Sequence, residues 1–399
     1  MLYNHYTEKL IGLQDIIVKN ITKNEENIFI TIELIKKPHI CPNCGKLTSY
    51  VHDYRMQQIH DIPSFGKNVF LLLRKRRYVC KECNKRFFEE NKWLPRYYRL
   101  TKRLVGYIIN RLSDVRSFTS VAKEVNLSVS TVIRMFDIIG TPKVSMPKVL
   151  SIDEFKGNAG REKYQCIITD PENGVILDIL PTRHKSDLVC YFKKFDRRKT
   201  KYFVSDMWSA YEDISKTFFK QATFVVDKYH FIRQVTWAFE KVRKEEQKLF
   251  SKTRRIYFKR SKRLLTKRFC NLSQEETEQV LVMLETSQKL KQAYWLKESY
   301  YEFLDADNST KAKKLLSDWV NTAGNSRIEA FVKCSDTMVN WSQGILNSFD
   351  CTYTNGFTEG INNKIKVIKR NAYGYRNFDR FRKRILHIFN YNKKQTLTA

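Results

Sequence analysis

Three short apolar runs that each end on a carboxylate constrain the fold of this chain more than any other feature. They are residues 149–153 (VLSID), 202–206 (YFVSD) and 222–227 (ATFVVD). Their length and their β-branched and aromatic content are typical of buried strands. An acid just past a buried strand lies at the rim of the sheet, where open α/β folds bind their ligands. The sequence therefore predicts an α/β core with acidic side chains along one edge.

The segments between these runs predict how the strands are connected. Residues 164–170 and 175–180 have the composition of strands and flank a Pro-Glu-Asn-Gly turn, so with residues 149–153 they predict an antiparallel meander. A helical segment at 208–218 separates the last two runs. Three antiparallel strands followed by strand, helix and strand is the order of a ribonuclease H-like core.

A further acid, Glu359, lies far downstream, where residues 354–364 (TNGFTEGINNK) start a helix. We predict that Asp153, Asp206 and Glu359 meet around Mg²⁺ or Mn²⁺. Carboxylate oxygens are hard ligands that suit such ions. Two of these ions can activate a nucleophile and stabilise the leaving oxyanion in phosphodiester cleavage. Clustered carboxylates repel one another, and bound metal relieves that repulsion.

Each of the three positions has an alternative. Glu154 lies beside Asp153 and would be the ligand if Asp153 only caps the strand. Asp227 competes for the second position, although its Asp-Lys-Tyr-His motif also suits a supporting or DNA-positioning pair with His230. Glu359 would otherwise be an ordinary first-turn acid that the helix dipole stabilises.

The net charge of +31 and the isoelectric point near 9.7 indicate a polyanionic partner, because a polyanion neutralises self-repulsion on this scale. Double-stranded DNA is the leading candidate. An anionic membrane is the second, but the sequence has no hydrophobic span of about 18 residues and no signal peptide. We therefore expect a soluble intracellular protein, which in a bacterium would mean a cytoplasmic protein associated with the nucleoid.

Four of the nine cysteines form two Cys-x-x-Cys pairs, a pattern that predicts a structural zinc site. Two such knuckles can supply four thiolates in a tetrahedron, here Cys41, Cys44, Cys80 and Cys83. Redox-active or unrelated buried thiols are the alternative. Between the pairs, an apolar strand at 70–73 precedes cations that are predicted to face phosphates, Arg74, Arg76 and Arg77.

Residues 119–125 and 128–136 predict two short helices across a tight turn, which makes a helix-turn-helix candidate. Ser128 suits the N-cap of the second helix. That helix has an apolar face formed by Val129, Val132, Ile133 and Phe136. Its opposite face is predicted to contact bases or phosphates through Ser130, Thr131 and Arg134. A small helical connector is the alternative.

The remainder of the chain divides by composition. Residues 231–350 are helical and charged, and they predict an all-helical insertion before the last catalytic helix. That helix carries Asn362, Asn363 and Lys366 on the face of Glu359, and a basic tail for DNA backbone contacts begins at Lys369 and Arg370. The predicted domains are a β-rich zinc module (1–95), a helix-turn-helix (96–142), the first part of the core (147–230), the insertion (231–350) and the catalytic helix with its tail (351–399).

Several motifs of this chain resemble those of the transposases of the ISL3 family of bacterial insertion sequences. They are SIDEF at 151–155, VSDMWSAY at 204–211, VDKYH at 226–230, TNGFTEGINNKIK at 354–366 and KRNAYGYRNF at 369–378. The double Cys-x-x-Cys and the helix-turn-helix that follows it are similar as well. The resemblance thus covers nearly the whole chain.

The resemblance implies a DDE transposase whose ribonuclease H-like core is interrupted by a helical insertion. It assigns the triad to Asp153, Asp206 and Glu359, and it gives the Asp-x-x-His motif of Asp227 an accessory role. It implies hydrolysis at the ends of the element, followed by strand transfer by the freed 3′-hydroxyl. The zinc and helix-turn-helix modules would recognise the terminal inverted repeats, and chemistry on two ends implies a homo-oligomer on DNA.

Two other functions fit the same sequence. One is a catalytically inactive, transposase-derived regulator that binds DNA but does not cleave it. The other is a nuclease that selects DNA by structure rather than by end sequence. Cleavage of DNA that contains the element's ends, in the presence of Mg²⁺ or Mn²⁺, distinguishes these functions from transposition.

Overall fold

The computed structural model describes residues 9–396 and, among these, the side chains of all but 259–260 and 392–396. The chain forms two compact units. The first contains the chain up to Pro142, Val367–Gly374 and the residues from Lys383 onward. The second contains Lys143–Lys366 and Tyr375–Arg382.

A five-stranded sheet forms the N-terminal part of the first unit. In chain order the strands are β1 (Ile16–Lys23), β2 (Asn27–Leu34), the short hairpin β3 (His39–Ile40) and β4 (Leu47–Thr48), β5 (Val51–Ser64), β6 (Lys67–Val79) and β7 (Arg86–Phe88). The sheet order is β1-β2-β6-β5, with β7 paired to β6. Alternate residues of β2, β5 and β6 face inward, and they form an apolar core that includes Ile30, Ile32, Ile59, Leu71 and Leu73.

Three helices follow in the first unit: α1 (Lys102–Arg111), α2 (Phe118–Glu124) and α3 (Val129–Asp137). The N-cap residues are Thr101, Ser117 and Ser128. The hydroxyl of each accepts a hydrogen bond from the backbone N–H three residues further on. Asn126 takes a φ of 49° in the turn between α2 and α3. The buried face of α3 consists of Val132, Met135 and Phe136. The predicted face was therefore partly wrong, because Val129 is 36% exposed.

The second unit contains a mixed sheet of five strands. They are β8 (Val149–Phe155), β9 (Gln165–Asp170), β10 (Val175–Leu180), β11 (Tyr202–Ser205) and β12 (Thr223–Val226). The order is β10-β9-β8-β11-β12, with β8 to β10 antiparallel and β8, β11 and β12 parallel. The predicted meander and the strand, helix and strand that follow it are confirmed. Two helices, α4 (Lys185–Phe192) and α5 (Ser209–Phe218), pack on one face through an apolar cluster that includes Leu150, Ile152, Leu188, Phe192 and Ile214.

Helices make up the segment that follows β12, as predicted. They are α6 (Lys228–Leu249), α7 (Lys252–Arg260), α8 (Lys262–Thr266), α9 (Gln274–Leu284), α10 (Gln288–Leu304), α11 (Ser309–Gly324), α12 (Glu329–Asn340) and α13 (Ser342–Asn347). One apolar cluster joins them to Val226 of β12. The close approach of α13 to this strand requires glycine, because a Cβ on Gly344 would come within 2.8 Å of Val226 Cγ2.

The chain ends with α14 (Gly356–Asn371) and α15 (Phe378–Thr396). Ile361, Ile365 and Ile368 are buried on α14. The basic tail differs from the prediction, because Arg384 is fully buried and donates to the carbonyls of residues 114 and 116. Arg382 forms an ion pair with Asp178. Among the described residues, no helix combines the length and the apolar character that crossing a membrane requires.

Candidate active site

Three acids lie at one edge of the second sheet because β8, β11 and β12 run parallel. Asp153 lies within β8, Asp206 directly follows β11 and Asp227 directly follows β12. Residue 204 of β11 pairs with residue 151 of β8, so two residues further along Asp206 is level with Asp153. The register of β11 with β12 likewise brings Asp227 level with Asp206.

The start of α14 packs on the face of the sheet that carries Asp153. Alternate residues of a strand point to the same side, so Ser151 and Asp153 face this helix together. The Thr358 and Ser151 hydroxyls are 3.2 Å apart and hydrogen-bonded. One helical turn further, the side-chain amide of Asn362 donates to Asp153 Oδ2 at 2.8 Å. These contacts fix the rotation of α14 and therefore the position of Glu359.

Asp227 holds the same helix from the neighbouring strand. It is 5% exposed, and its Oδ1 accepts a hydrogen bond of 3.0 Å from the backbone N–H of Asn355, just before α14. One ligand atom from each of Asp227, His230 and Glu359 lies within 4.8 Å of the other two. Glu359 is therefore next to the Asp-x-x-His motif that begins α6.

Burial and the charges of neighbouring carboxylates raise the pKa values of all three predicted ligands. Burial raises the pKa of Asp153 to about 7, and the charges of Asp206 and Glu359 add to the effect. Burial and then the charge of Glu154 raise the pKa of Asp206 to about 7. The pKa of Glu359 is raised by burial and by the charge of Asp227. Asp153 is therefore close enough to feel the charges of both other predicted ligands. Among the described residues, however, the three do not form a group whose ligand atoms all lie within 4.8 Å of one another, whereas Asp227, His230 and Glu359 do.

The oxygen atoms of Asp206 and Asn362 suit the binding of a divalent cation. Asp206 Oδ1 is buried and has no hydrogen-bond partner among the described residues. An unpaired carboxylate oxygen is costly to bury unless a cation or a water molecule compensates it. Asn362 Oδ1 is buried and unpaired in the same part of the chain. Carboxylate and amide oxygens are ligands for Mg²⁺ and Mn²⁺, so the residues present suit the predicted ion.

His230 belongs to the close group with Asp227 and Glu359, and its contact with Arg233 indicates which ring nitrogen carries the proton. A guanidinium nitrogen of Arg233 lies 3.1 Å from His230 Nδ1. Because arginine has donors only, Nδ1 must carry the lone pair and the proton of the neutral ring is on Nε2. Burial, and then the charge of Arg233, lower the pKa of His230 and favour the neutral ring. A neutral imidazole of this tautomer can donate to a carboxylate.

Glu154, the alternative to Asp153, has other partners. It lies on the opposite side of β8, where Arg183 forms an ion pair with it. The Tyr211 hydroxyl also donates to it, at 3.3 Å. Glu154 acts on the acids through its charge, which raises the pKa of Asp206. Asp153 is therefore better placed than Glu154 to meet α14.

The prediction of Asn363 as a site residue is corrected by the structure. Asn363 is exposed and accepts a hydrogen bond of 3.0 Å from the ammonium group of Lys366, which is also exposed. Its neighbour Asn362 is 8% exposed and contacts Asp153. Sequence analysis placed Asn362 on the face of Glu359 but did not include it among the site residues, and it missed Arg233. The helical spacing of Arg233 from His230 was the available signal.

The four cysteines of the two predicted knuckles come together in the first unit. Their sulfur atoms lie within 4.8 Å of one another, and two pairs are 3.5 Å apart, Cys41 with Cys83 and Cys44 with Cys80. A hydrogen bond from the backbone N–H of Lys85 lowers the pKa of Cys83 to about 6, which favours the thiolate that binds metal. This cluster suits structural Zn²⁺.

The two knuckles are built alike. In each, the backbone N–H of the first cysteine donates to the carbonyl five residues further on, at 2.9 Å for Cys41 and 3.0 Å for Cys80. The residue four positions after that cysteine has a left-handed backbone, with φ of 71° at Gly45 and 53° at Asn84. Glycine and asparagine are the residues that accept this conformation most easily.

The three predicted cations on β6 differ in their environment. Arg76 is 5% exposed and pairs with Glu33 and Glu89, so its predicted phosphate contact is wrong. Arg74 is partly exposed and lies 3.9 Å from the ring centre of Tyr54. Arg77 is also partly exposed. Arg74 forms an ion pair with Glu33 and Arg77 forms one with Asp53, and these two residues remain predicted DNA contacts.

The predicted DNA contacts on α3 and α14 differ in exposure. Ser130 and Arg134 are exposed, whereas Thr131 is half-buried and its hydroxyl hydrogen-bonds that of the N-cap Ser128 at 2.9 Å. Arg370 is exposed and Lys369 is half-buried. These residues remain predicted DNA contacts.

Comparison with known protein families identifies the chain. The ISL3 family model described as "Transposase" matches residues 150–385, which is more than half of the sequence. The chain belongs to the ISL3 transposase family. Membership implies DNA binding and transposition. The "zinc-finger of transposase IS204/IS1001/IS1096/IS1165" matches residues 37–83, and the "Helix-turn-helix domain of transposase family ISL3" matches residues 89–138.

Two curated proteins are similar to this ISL3 transposase. The transposase for insertion sequence element IS1001 of Bordetella parapertussis is 27% identical over 395 residues, which cover 96% of this chain and 97% of that protein. A protein named ATP-dependent protease from Lactococcus lactis subsp. lactis is 52% identical over 42 residues, or 10% of this chain and 14% of that protein. The second match is too short to carry an argument about function.

Proposed function

We propose that this ISL3 transposase cleaves DNA at the ends of its insertion sequence and joins the freed 3′ ends to target DNA, using divalent metal held by Asp153, Asp206 and Glu359. The observation that carries this proposal is the set of acids at the parallel edge of the second sheet, where Asp206 Oδ1 is buried without a hydrogen-bond partner among the described residues. A buried unpaired carboxylate oxygen suits a site built for a cation.

Each ligand has a distinct support. Asp153 accepts a hydrogen bond from the side-chain amide of Asn362, and this bond orients the Asp153 carboxylate. Asp206 follows β11 directly and is held level with Asp153 by strand pairing. Glu359 is held by its helix, because Asp227 accepts the backbone N–H of Asn355 just before α14. Two bound Mg²⁺ or Mn²⁺ ions would activate the attacking water or 3′-hydroxyl and stabilise the leaving oxyanion.

The accessory residues act on the acids through charge and hydrogen bonds. The positive charge of Arg233 lowers the pKa values of Asp206 and Glu359 against the effect of burial. Arg233 also sets the tautomer of His230. Asp227 therefore positions α14, while Arg233 and His230 complete the polar wall of the site.

The N-terminal modules would bring the element's ends to this site. The four-cysteine cluster would hold Zn²⁺ and stabilise the sheet that carries Arg74 and Arg77. Exposed Arg134 on α3 would contact the major groove, as a second helix of a helix-turn-helix does. The strand order of the second sheet supports a ribonuclease H-like fold for the catalytic core.

Strand cleavage tests the proposal. Duplexes that contain the element's terminal inverted repeats are incubated with the wild type, with Asp206→Asn and with Asp213→Asn, an exposed acid on α5 that pairs with Lys185. We expect Mg²⁺- or Mn²⁺-dependent nicking by the wild type and by Asp213→Asn, and none by Asp206→Asn. Nicking by Asp206→Asn, or by the wild type in a chelator, would remove Asp206 and its metal from the mechanism.

A further inference from the structure

Helix α6 exposes a stripe of aromatic and basic side chains that its fold does not require. Tyr229, Arg233 and Trp237 are spaced four residues apart, so they lie on one face of the helix. Tyr229 is 52% exposed and Trp237 is 54% exposed. The guanidinium of Arg233 lies between them, 5.1 Å from the ring centre of Tyr229 and 4.6 Å from that of Trp237. We call these three residues the α6 stripe.

The opposite face of the helix already supplies its packing. Phe231, Val235, Phe239 and Val242 are buried in the apolar cluster of the helical segment. An amphipathic helix needs one apolar face to dock. Large aromatic groups on the other face expose apolar area to water, and such surfaces mark binding sites more often than folding requirements.

The α6 stripe begins at the acidic cluster. Asp227 immediately precedes α6, and Arg233 is hydrogen-bonded to His230, which lies beside Glu359. Arg233 Nε is buried and has no partner among the described residues, so the guanidinium retains a free donor. A ligand on the stripe would therefore extend directly from the site at which a phosphodiester reacts.

We propose that the α6 stripe stacks on unpaired nucleotides of the DNA strand next to the bond that is cut. Nucleobases stack on aromatic rings and on guanidinium planes whatever their sequence, and the arginine can also contact a phosphate. The faces of bases in an intact duplex are covered by their neighbours, so the ligand must be melted or displaced strand. The guanidinium of Arg233 gives the stripe a positive charge, and the whole chain carries a net charge of +31, which favours an anionic partner. This inference rests on the proposed cleavage function.

Binding in the absence of catalysis tests the contact directly. The probes are a fluorescein-labelled (dT)12 strand and its (dT)12·(dA)12 duplex, titrated in EDTA and followed by anisotropy. We expect Trp237→Ala to weaken binding of the single strand by roughly tenfold, because one stacked base contributes about 1–3 kcal/mol. Trp237→Phe keeps an aromatic face and should retain most of the affinity. Binding of the duplex should be unchanged.

A matched control comes from Trp295 on α10, which is 41% exposed and lies outside the stripe. Trp295→Ala should bind the single strand like the wild type. Equal single-strand affinity of Trp237→Ala and wild type would overturn the inference. So would a loss of self-association in Trp237→Ala with normal DNA binding, since the stripe would then be an interface between copies of the chain.

Cleavage separates this inference from the function on which it rests. If the stripe holds melted strand, Trp237→Ala should nick a fully paired end slowly and regain most of the rate when mismatches open the base pairs beside the cut. A wild type that binds the single strand but never nicks would contradict the proposed function alone. Equal nicking of both substrates by Trp237→Ala and wild type would contradict the stripe alone.

Discussion

The side-chain amide of Asn362 donates a hydrogen bond of 2.8 Å to Asp153 Oδ2, although 209 residues separate the two in sequence. The contact joins the strand that carries one acid to the helix that carries another. It supplies a neutral donor to a carboxylate whose pKa is raised to about 7 by burial and by its acidic neighbours. A hydrogen bond to the charged form favours ionisation. Together with the hydrogen bond of 2.7 Å that Oδ1 accepts from the backbone N–H of Glu154, it fixes the orientation of the carboxylate.

Replacing Asn362 should therefore weaken metal use more than folding. We expect Asn362→Ala to raise the Mn²⁺ concentration that gives half-maximal nicking by about 10- to 100-fold, the range found when partners of metal ligands are removed. Asn363→Ala is the matched control, since Asn363 is exposed and bonds only to Lys366 in the described contacts. A metal titration of nicking rate checks both, and equal curves for the two variants would contradict the role of Asn362.

The raised pKa of Asp206 predicts that the metal-free protein becomes less stable as pH increases. Its pKa is about 7 in the folded chain against 3.8 for the free side chain. Between these values the folded state holds a proton that the unfolded state releases, so stability falls as pH rises through this window. Asp206→Asn removes the charge and should have the higher Tm above pH 7, by roughly 2–4 °C for each kcal/mol relieved.

Thermal denaturation in EDTA at pH 4 and pH 8 measures this difference, which should disappear at the lower pH. Adding Mn²⁺ at pH 8 should raise the Tm of the wild type and leave that of Asp206→Asn nearly unchanged, because a ligand stabilises only the state that binds it. A wild type that is more stable than Asp206→Asn in EDTA at pH 8 would mean that Asp206 is not in a repulsive cluster.

Local patterns in the sequence were sufficient for most of the fold. The strands that carry Asp153 and Asp206 are short, apolar and bounded by turns, so their existence and order follow from composition. The Cys-x-x-Cys pairs carry their own geometry, because each knuckle is closed by hydrogen bonds within six residues. The helical segment after β12 was predicted from its charged, helix-favouring composition.

Contacts that depend on the rotation of one element against another were not predictable. Asn362 and Asn363 are equally polar, and only the docking of α14 decides which one meets Asp153. Similarly, the run at 74–77 appeared uniformly basic, but the pleat of β6 turns Arg76 inward to Glu33. Sequence spacing predicts which residues share one face of a helix or strand. Which of those residues makes a given contact depends on how that element packs.

Disrupting the four-cysteine cluster should abolish zinc binding and weaken DNA binding without unfolding the second unit. Cys41→Ser removes one of four thiolates and should release zinc, weaken binding of the element's ends and leave the second unit folded, because the cluster lies in the first unit. Cys190→Ser is the control, since Cys190 is exposed and lies outside the cluster. Metal analysis of the purified variants checks this, and one zinc per chain retained in Cys41→Ser would contradict the four-thiolate site.

Replacing Arg76 should reduce stability, whereas replacing Arg134 should reduce DNA binding. Arg76 is buried between Glu33 and Glu89. Arg76→Ala leaves the buried Glu89 without its ion-pair partner, although Glu33 keeps Arg74, and should destabilise the fold by about 3–5 kcal/mol. Arg134 is exposed on α3, so Arg134→Ala should leave the Tm unchanged and weaken end binding by about 1–3 kcal/mol. Thermal denaturation and a DNA-binding titration of both variants give the four values. A stable Arg76→Ala with weakened DNA binding would restore Arg76 as a phosphate contact, and normal end binding by Arg134→Ala would exclude α3 as the helix that enters the groove.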